Sequence, residues 1–504
     1  MSVRKSLSIL ALSVSFGAMA VTTPVEIKYL DDENAGVNDP KMITLDNGTE
    51  VSLGQFRKDA IEHVARAVSL QFNTDQTFYW DVKFQNNAGY DALTLGPVLT
   101  EVRAEVAALD PTGSLEAGRN FPKIIIDTLT GTSGKYEADE SYGETMFADY
   151  ANNPQSDIVE SSGQPEFYSI VYHELVHYYG FTESSCLGDC IPERSSTPSH
   201  MSKGMWYHDH DGGISAYDSA SLDEKEEAGM SIDGLLYLGS DATQDAADAE
   251  LAGGSQIWNS QTYLEMFATP TNGKWDGQVG GHLADSLQPA QLMRSSAARV
   301  QDMGMAAFML CDMGWCRGEG QVIDLQATAT LDENASDETT TYINVTFTNN
   351  TNAVVDKVKA QVRLDAAYTD AVVESNDICS ADGNVLSCEM TLSELSEEQI
   401  TISVGALQEA GYSIEGEVYS NDYDVDRNGF NNILDATLNI AEDDNSDNGN
   451  SDDDTDTGNG NDSNTDTGTT TPTTPEASKS KSGGSMSYWM ALMLGAVAWR
   501  RKVA

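Results

Sequence analysis

The stretch FYSIVYHELVHYYGF (residues 167–181) places two histidines four positions apart around a glutamate. Residues four apart share one face of a helix, so His173 and His177 can present two imidazole nitrogens to one ion. Imidazole is a favoured zinc ligand, and a catalytic zinc keeps one position open for water. Zinc lowers the pKa of that water towards about 7, and the carboxylate of Glu174 can accept its proton. The pattern predicts a hydrolytic zinc site with Glu174 as general base, against the alternative of an ordinary half-buried helix.

A zinc site of this type needs a third ligand, and the sequence offers several. Gly180, three residues after His177, predicts a sharp turn out of the helix, because only glycine adopts the required backbone angles cheaply. A further three residues on, where a compact motif would supply the ligand, stands Glu183. The other candidate donors are His200, His208, His210 and His282.

The order of several motifs is similar to that of the leishmanolysin-type metzincin peptidases. HELVHYYGF is followed by a long insertion, by HLADSLQPAQLM and by a helical run that closes on DMGW. The stretch LLYLGSDATQDAADAELAGG also resembles the segment before the third histidine of bacterial relatives. This resemblance covers roughly residues 76–316.

The resemblance implies roles for individual residues. His173, His177 and His282 would bind zinc, Glu174 would be the base, and Met293 would form the hydrophobic Met-turn beneath the metal. Protein or peptide would be the substrate. Leu283 follows the third histidine where many members of the family carry tryptophan or an acidic residue, so Glu183 remains the alternative third ligand.

Charge and leader sequence indicate an exported protein that does not bind nucleic acid. Its 504 residues include 80 acidic and 28 basic ones, giving a net charge of −52, which repels phosphate backbones. Residues 1–20 combine a basic start, an apolar stretch and an Ala-x-Ala end, the pattern of a secretory signal peptide. Six cysteines form three close pairs, which in an exported chain predict local disulfides: Cys186/Cys190, Cys311/Cys316 and Cys379/Cys388.

Changes in composition and hydrophobic pattern along the chain predict its domains. We expect residues 21–75 to be a pro-segment or the start of the catalytic domain, and residues 76–320 to form a mixed α/β (α+β) metzincin-like zinc peptidase domain. Strand-like runs are predicted at 78–84 and 123–128, helices at 99–109 and 297–313, and a loop-rich region at 182–281. Seven short strand-like runs in 321–442 predict an all-β, immunoglobulin-like sandwich.

One turn of this sandwich has two interpretations. DVDRNGFNNILD (424–435) matches an EF-type calcium loop, with Asp424, Asp426, Asn428 and Asp435 as ligands. The same stretch also resembles the last hairpin of bacterial surface immunoglobulin-like repeats, in which it is simply a turn. Calcium is therefore the second metal that the sequence suggests, after zinc.

The end of the chain resembles a sorting signal. Residues 443–482 are acidic and polar, and their composition predicts a disordered linker. Residues 483–504 hold Gly-Gly-Ser, about 14 apolar residues and an arginine cluster, like GlyGly-CTERM tails of Gram-negative bacteria; a membrane span needs about 20 residues. The resemblance implies transient membrane contact, cleavage by a rhomboid-type sorting protease, type II secretion through the periplasm, and surface attachment or release. An ordinary C-terminal membrane anchor is the alternative.

Together these features predict a secreted or cell-surface zinc-dependent endopeptidase. The competing hypothesis is a non-catalytic surface adhesin or binding protein built on a metallopeptidase-like fold. The intact HExxH motif favours the enzyme, because a site that had lost its activity would be expected to lose Glu174 first.

Overall fold

The computed structural model describes residues 25–438 apart from internal gaps. The gaps are 46–47, 73, 75, 86–91, 95–98, 132–141, 143, 149–165, 183–197, 210, 232–233, 269–278, 296–299, 319, 338, 365–371, 375–377, 406–411 and 421–422. The predicted signal peptide, acidic linker and sorting tail lie outside the described residues, as do Glu183, His210, Cys186 and Cys190.

The described residues between 25 and 318 form a mixed structure of short strands and helices. Its strands are β1 Val25–Tyr29, β2 Met42–Thr44, β3 Glu50–Ser52, β4 Phe78–Gln85, β5 Ala92–Thr94, β6 Leu99–Glu101, β7 Asn120–Pro122, β8 Glu144–Ala148, β9 Met205–His208, β10 Ile214–Ala216, β11 Leu235–Tyr237, β12 Ser255–Trp258 and β13 Gln261–Glu265. Its helices are α1 Leu53–Gln71, α2 Ala104–Ala107, α3 Lys123–Thr130, α4 Glu166–Tyr178, α5 Leu222–Met230, α6 Asp241–Glu250 and α7 Met305–Leu310. Short 3-10 turns occur at Gly36–Asn38, Met201–Gly204 and Tyr217–Ser219, and α7 continues into a π-helical turn, Cys311–Trp315.

Two sheets frame the helix that carries the HExxH motif. The first has the order β1-β4-β8-β5, with β1, β4 and β8 parallel and β5 antiparallel at one edge. The second is antiparallel throughout, in the order β10-β9-β11-β13-β12. Small two-stranded pairs, β2-β3 and β6-β7, complete this part of the fold. One continuous hydrophobic cluster contains residues from both sheets and from α4.

The segment that precedes residue 76 is built into this core. Strand β1 pairs in parallel with β4, in the register Val25 to Phe78. Helix α1 begins at an N-cap, Ser52, whose hydroxyl accepts a hydrogen bond from the backbone N–H of Gln55 at 3.1 Å. It packs directly against α4 and buries Ile61, among other apolar side chains. Loss of this segment would open the core behind the HExxH helix.

Local pattern predicted some elements correctly and misassigned others. The run at 78–84 is a strand, β4, as expected. The run at 123–128, rich in β-branched isoleucine, is instead helix α3, which starts after Pro122, ends at Gly131 with φ of 62° and buries nearly all its side chains. Since complete burial removes the amphipathic signal, the strand and helix patterns are indistinguishable there.

Three further expectations need correction. The helix predicted at 99–109 is strand β6 followed by the single turn α2. Within the predicted helix at 297–313, only α7 and the π-helical turn are helical among the described residues. Gly304, the residue before α7, has a positive φ of 57°, so the backbone is not helical there. A Cβ at this position would also lie 2.1 Å from Gln291 Oε1. The region predicted to be rich in loops holds the whole antiparallel second sheet.

The C-terminal part is a β-sandwich. Its strands are β14 Val322–Ile323, β15 Leu325–Leu331, β16 Thr340–Asn349, β17 Val355–Leu364, β18 Val372–Glu374, β19 Cys379–Asp382, β20 Val385–Leu392, β21 Glu397–Gly405, β22 Tyr412–Ser420, β23 Val425–Asp426 and β24 Ile433–Leu438. Two antiparallel sheets, β15-β16-β21-β18 and β19-β20-β17-β22-β24, share a second hydrophobic cluster, so their inner faces pack together. The alternating burial along β16 follows from this arrangement.

The sandwich is fixed to the first part of the chain through residues 424–433, a segment we call the docking loop. A Cβ at Gly429 would lie 2.0 Å from the carbonyl oxygen of Ala67 in α1, so this backbone approach requires glycine. Phe430 packs edge-on against Tyr172 of α4, with ring centroids 5.2 Å apart. Arg427 bonds both carboxylate oxygens of Glu250 at 2.8 and 2.9 Å. The docking loop therefore contacts the helix that carries His173.

Two of the three predicted disulfides are present, Cys311–Cys316 and Cys379–Cys388. Disulfides persist in oxidising compartments, so the pair is typical of an extracellular or periplasmic protein. Among the described residues, we find no helix with the length and apolar character needed to cross a membrane.

Candidate metal centre

Three histidines converge on one point. The Nε2 atoms of His173 and His177 are 3.1 Å apart, and that of His282 lies 3.1 Å from the first and 3.2 Å from the second. No other group of three or more His, Cys, Asp or Glu ligand atoms is this closely gathered within the described part of the chain. The structure thus brings the helical pair together with a histidine more than 100 residues downstream.

The spacing of the three nitrogens fits a small tetrahedral cation. Nitrogens held about 2.0–2.1 Å from zinc at tetrahedral angles would be separated by about 3.3–3.4 Å. The observed separations of 3.1–3.2 Å are close to this value. Three imidazoles would fill three of the four positions that zinc favours, so the fourth would be left for water. The donor set therefore suits a zinc ion with a free coordination site.

Backbone carbonyls fix the tautomers of the two helical histidines. His173 Nδ1 lies 2.8 Å from the carbonyl oxygen of Leu292, and His177 Nδ1 lies 2.6 Å from that of Phe181. A carbonyl oxygen can only accept a hydrogen bond, so each Nδ1 must carry the proton. In the neutral imidazole Nε2 is then left with its lone pair towards the common centre, the arrangement that metal-binding histidines require.

Gly180 makes the second of these contacts possible. It has φ of 117°, and its N–H donates to the carbonyl of His177 at 3.1 Å as the chain leaves the helix. A Cβ at this position would lie 2.9 Å from Ile125 Cδ1. The sharp turn expected of this glycine is confirmed, and it returns the Phe181 carbonyl to His177.

The segment around Met293 contacts both helix α4 and the chain beside His282, which are far apart in the sequence. The carbonyl of Leu292 accepts from His173, and the next carbonyl, that of Met293, accepts from the N–H of Leu283 at 2.8 Å. Leu283 directly follows His282, whose own carbonyl accepts from Phe267 N–H at 2.8 Å. The Met293 side chain is fully buried. Residues 292–293 therefore link the third histidine to the first through the main chain.

Burial shapes the electrostatics of the centre. Burial lowers the pKa of His177 well below its usual range, the neighbouring His173 and His282 lower it further, and the hydrogen bond to Phe181 opposes them. A neutral imidazole is the form that binds a metal ion. Glu174 lies on the same helix beside His173 and is 7% exposed. Its side chain is therefore largely shielded from bulk water.

The DMGW signature links the end of the π-helical turn to the residue that follows α4, a contact that the sequence did not predict. The indole Nε1–H of Trp315 donates to the carbonyl of Tyr179 at 2.6 Å. Gly314, with φ of 111°, allows the turn. Asp312 accepts from Thr243 Oγ1 at 2.7 Å, and burial raises the pKa of its carboxyl. The motif marks Asp312 and Trp315 in the sequence, but their partners, Thr243 and Tyr179, are distant in the chain.

The other candidate ligands are separate from the centre where the structure describes them. His200 is buried, and its Nε2–H donates to the Gly180 carbonyl at 2.8 Å, so this histidine supports the turn. His208 is exposed and contacts Gln256 Oε1 at 2.9 Å. Glu183 and His210 fall in gaps of the described chain.

The residues of the predicted calcium loop are not gathered around one point. Asp424 accepts from the N–H of Gln321 and the hydroxyl of Ser420. Asn428 accepts from the N–H of Phe430, and Asp435 is exposed on β24, opposite Glu415. Asp426 accepts two main-chain N–H groups, one of them from residue 325 in the sandwich. These contacts are those of a turn that anchors the docking loop.

Comparison with known proteins does not identify a family for this chain. No protein-family model matches the sequence, and no curated protein matches it. Solved structures similar to part of the chain include the CARDB domain of a Pyrococcus furiosus protein, at 18% identity over 24% of this chain and 97% of that one, with a TM-score of 0.17. An uncharacterized Nocardia farcinica protein with an immunoglobulin-like fold matches at 14% identity, over 22% of this chain and 99% of that one, with a TM-score of 0.17. A GH20 exo-β-N-acetylglucosaminidase from Vibrio harveyi matches at 9% identity, over 23% of this chain and 17% of that one, with a TM-score of 0.15. Scores this low support no argument about activity.

Proposed function

We propose that this protein is a zinc-dependent endopeptidase of the leishmanolysin-like metzincin type. The observation that carries the proposal is the convergence of three imidazole Nε2 atoms within 3.2 Å of one another, next to a shielded glutamate on the same helix. A purely structural histidine cluster would not need two Nδ1–H groups directed to carbonyls so that both lone pairs face inwards.

The three histidines and Glu174 would have separate roles in peptide hydrolysis. His173, His177 and His282 would hold the zinc, which when bound supplies a Lewis acid and an acidified water. Glu174 would accept the proton from the attacking water and deliver it to the leaving amine, as a general base and then a general acid. Its low exposure favours this role, since proton transfer is more efficient when bulk water does not compete.

The edge of the first sheet offers a place for an extended substrate. Strand β5 ends the described sheet, runs antiparallel to β8 and lies against helix α4. An unpaired strand edge can pair with the main chain of an extended peptide, which selects for backbone more than for side chains. We place protein or peptide substrates along this edge, with the scissile bond at the three histidines.

We further propose that the enzyme acts outside the cytoplasm of a Gram-negative bacterium, secreted or at the cell surface. The two disulfides support an oxidising compartment. The signal-like N-terminus and the GlyGly-CTERM-like tail support export and subsequent sorting by a rhomboid-type protease. Mass spectrometry of the protein from its native host would test this, with cleavage near residue 20 and near residues 483–485 as the expected result.

Casein hydrolysis by the zinc-loaded full chain tests the peptidase proposal. We expect activity that a zinc chelator removes and that added zinc restores. Glu174→Gln should keep one zinc per chain and lose about 10²–10⁴-fold in rate, because it keeps the shape of the side chain but cannot act as a base. If hydrolysis survives both chelation and this substitution, the proposal fails. A zinc-binding chain without hydrolysis of any protein substrate would favour the adhesin hypothesis.

A further inference from the structure

The seam between the sandwich and the first part of the chain contains two neighbouring acidic side chains. Asp324 lies between β14 and β15, and Asp426 lies in β23, which pairs in parallel with β14 in the register Ile323 to Asp426. Asp426 Oδ2 accepts from the N–H of Leu325 at 3.0 Å, so its carboxylate faces the residue next to Asp324. Asp426 is only 2% exposed.

Negative charge at this seam exceeds the positive charge available. Arg427 directly follows Asp426 in the chain, but its nitrogens bond Glu250 and Asp302. Four carboxylates therefore share one guanidinium. Within the described chain neither Asp324 nor Asp426 forms an ion pair of its own. Burying an ionised carboxylate without a counter-charge costs free energy. A further cation or a bound proton would therefore stabilise the seam.

Two buried amide oxygens without a hydrogen-bond donor belong to residues of the same seam. The amide of Asn432, a residue with 0% exposure, contacts Asp426 Oδ2 at 3.0 Å through its Nδ2, while its Oδ1 is buried without a hydrogen-bond donor. The amide of Asn431 contacts Asp324 Oδ1 at 2.8 Å, and its Oδ1 is also buried without a donor. Each carboxylate thus has an amide oxygen beside it that lacks a partner, although nearly all buried polar atoms in proteins have one.

A surplus of buried oxygen acceptors suits a hard divalent cation. Calcium takes six to eight oxygen ligands from carboxylates, amide and backbone carbonyls and water, at about 2.3–2.6 Å. The oxygen and nitrogen of a side-chain amide exchange places by a half-turn, so either orientation of Asn431 and Asn432 can offer an oxygen. Magnesium fits less well, because it demands strict octahedral geometry and retains its waters.

We propose that the seam binds a calcium ion through the carboxylates of Asp324 and Asp426 and the amide oxygens of Asn431 and Asn432. The site differs from the EF-type loop expected from sequence, because it draws one ligand from the start of the sandwich and omits Asp424, Asn428 and Asp435. Since Asp426 follows Val425, which bridges to Phe72 just after α1, the ion would stabilise the docked position of the sandwich. The proposal does not depend on zinc or on peptidase activity.

Thermal unfolding of the full chain, with calcium as the probe, tests the site. The protein is treated with EGTA, reloaded with zinc and measured at pH 7.5 in 0.5 M NaCl, so that weak binding by exposed acidic segments is screened. Calcium at about 100 times its dissociation constant should raise Tm by about 3–6 °C, and equal magnesium should raise it much less. Calorimetric titration should show one tight ion per chain, bound at least about tenfold more weakly by Asp324→Asn and Asp426→Asn.

Asp435→Asn is the matched control, because it removes an acidic residue of the same hairpin that the proposed site does not use. It should keep the full calcium shift. In EGTA, Asp426→Asn should unfold at or above the wild-type Tm, which shows that the variant folds and that only its response to calcium is lost. Three results would overturn the proposal: no calcium shift in the wild type, a full shift in both Asp324→Asn and Asp426→Asn, or a shift lost only in Asp435→Asn.

Discussion

The Nδ1–H of His173 donates to the main-chain carbonyl of Leu292 at 2.8 Å. The contact joins the HExxH helix to the residue before Met293, and the Met293 carbonyl in turn holds Leu283 beside the third histidine. The methionine segment therefore acts through its backbone, orienting the first imidazole and positioning the chain of the third. Neither role would show in the sequence as a requirement for a particular side chain.

Removal of the third histidine should empty the metal centre. We expect His282→Ala to lower zinc affinity by more than the roughly 10–100-fold that loss of an outer-shell partner costs, because a ligand is lost directly. Zinc content after dialysis against a competing chelator measures the effect. His208→Ala, in an exposed histidine bonded to Gln256, is the control and should retain its zinc. Equal retention in both variants would exclude His282 as a ligand.

Substitution of Gly180 should damage both the fold and the centre. In Gly180→Ala the residue must hold φ of 117°, and its Cβ meets Ile125 Cδ1 at 2.9 Å and His200 Nε2 at 3.2 Å. We expect a loss of about 2–4 kcal/mol in the free energy of unfolding, from backbone strain and overpacking together. Because the turn also presents the Phe181 carbonyl, zinc affinity should fall as well.

Gly212→Ala separates the two causes. Gly212 also has a positive φ, 77°, but a Cβ there has open space. Gly212→Ala should lower the free energy of unfolding only by the backbone strain, about 1–2 kcal/mol, and leave zinc affinity unchanged. Urea unfolding of both variants beside zinc titration gives the comparison. Equal losses would mean that the packing around Gly180 is unimportant.

The local part of the centre could be predicted from sequence because helical geometry links positions four apart. The HExxH histidines and the glycine turn follow from spacing alone. His282 lies 105 residues from His177, and spacing cannot choose it over His200 or His208; only the resemblance to a family did so. The carbonyls that orient His173 and His177 were unpredictable, since every residue has one.

The calcium motif shows how a correct local pattern can mislead. DVDRNG places acidic residues at the right intervals, yet the partners of Asp424 and Asp426 include main-chain N–H groups of Gln321 and Leu325, about 100 residues earlier. Similarly, the isoleucines of α3 predict a strand until the surrounding core is known. In each case tertiary contacts determine the outcome.

The hydrogen bond between Trp315 and Tyr179 should contribute measurably to stability. In Trp315→Phe the ring can still pack on Phe72 and Tyr179, but the buried carbonyl of Tyr179 loses its donor. We expect the free energy of unfolding to fall by about 1–3 kcal/mol. Trp258→Phe, at the exposed tip of the β12–β13 hairpin, provides the control and should change stability by less than about 0.5 kcal/mol in urea unfolding. A Trp315→Phe variant as stable as the control would show that the hydrogen bond is dispensable.

The buried Asp426 should make the calcium-free protein less stable as pH rises. Burial, and then the neighbouring Asp324, raise the pKa of Asp426 to about 7. A carboxyl whose folded-state pKa is raised favours folding while it is protonated, so this contribution is present below about pH 4 and is lost as pH rises through about 7. Arg427, bonded to Glu250 and Asp302, faces the same seam but does not pair with Asp426, and Tyr172 stays neutral because its pKa is raised well above its usual value.

The comparison of wild type with Asp426→Asn isolates this group, because all other titrating residues are shared. In EGTA, the free energy of unfolding of the wild type relative to the variant should fall by a few kcal/mol between about pH 4.5 and pH 8. Calcium should remove most of that fall, since the ion replaces the proton as counter-charge and binds better as the carboxylate ionises. Urea unfolding across this range, with EGTA or with calcium, measures both curves. Parallel pH profiles for wild type and variant in EGTA would show that Asp426 is already ionised and compensated by the protein alone.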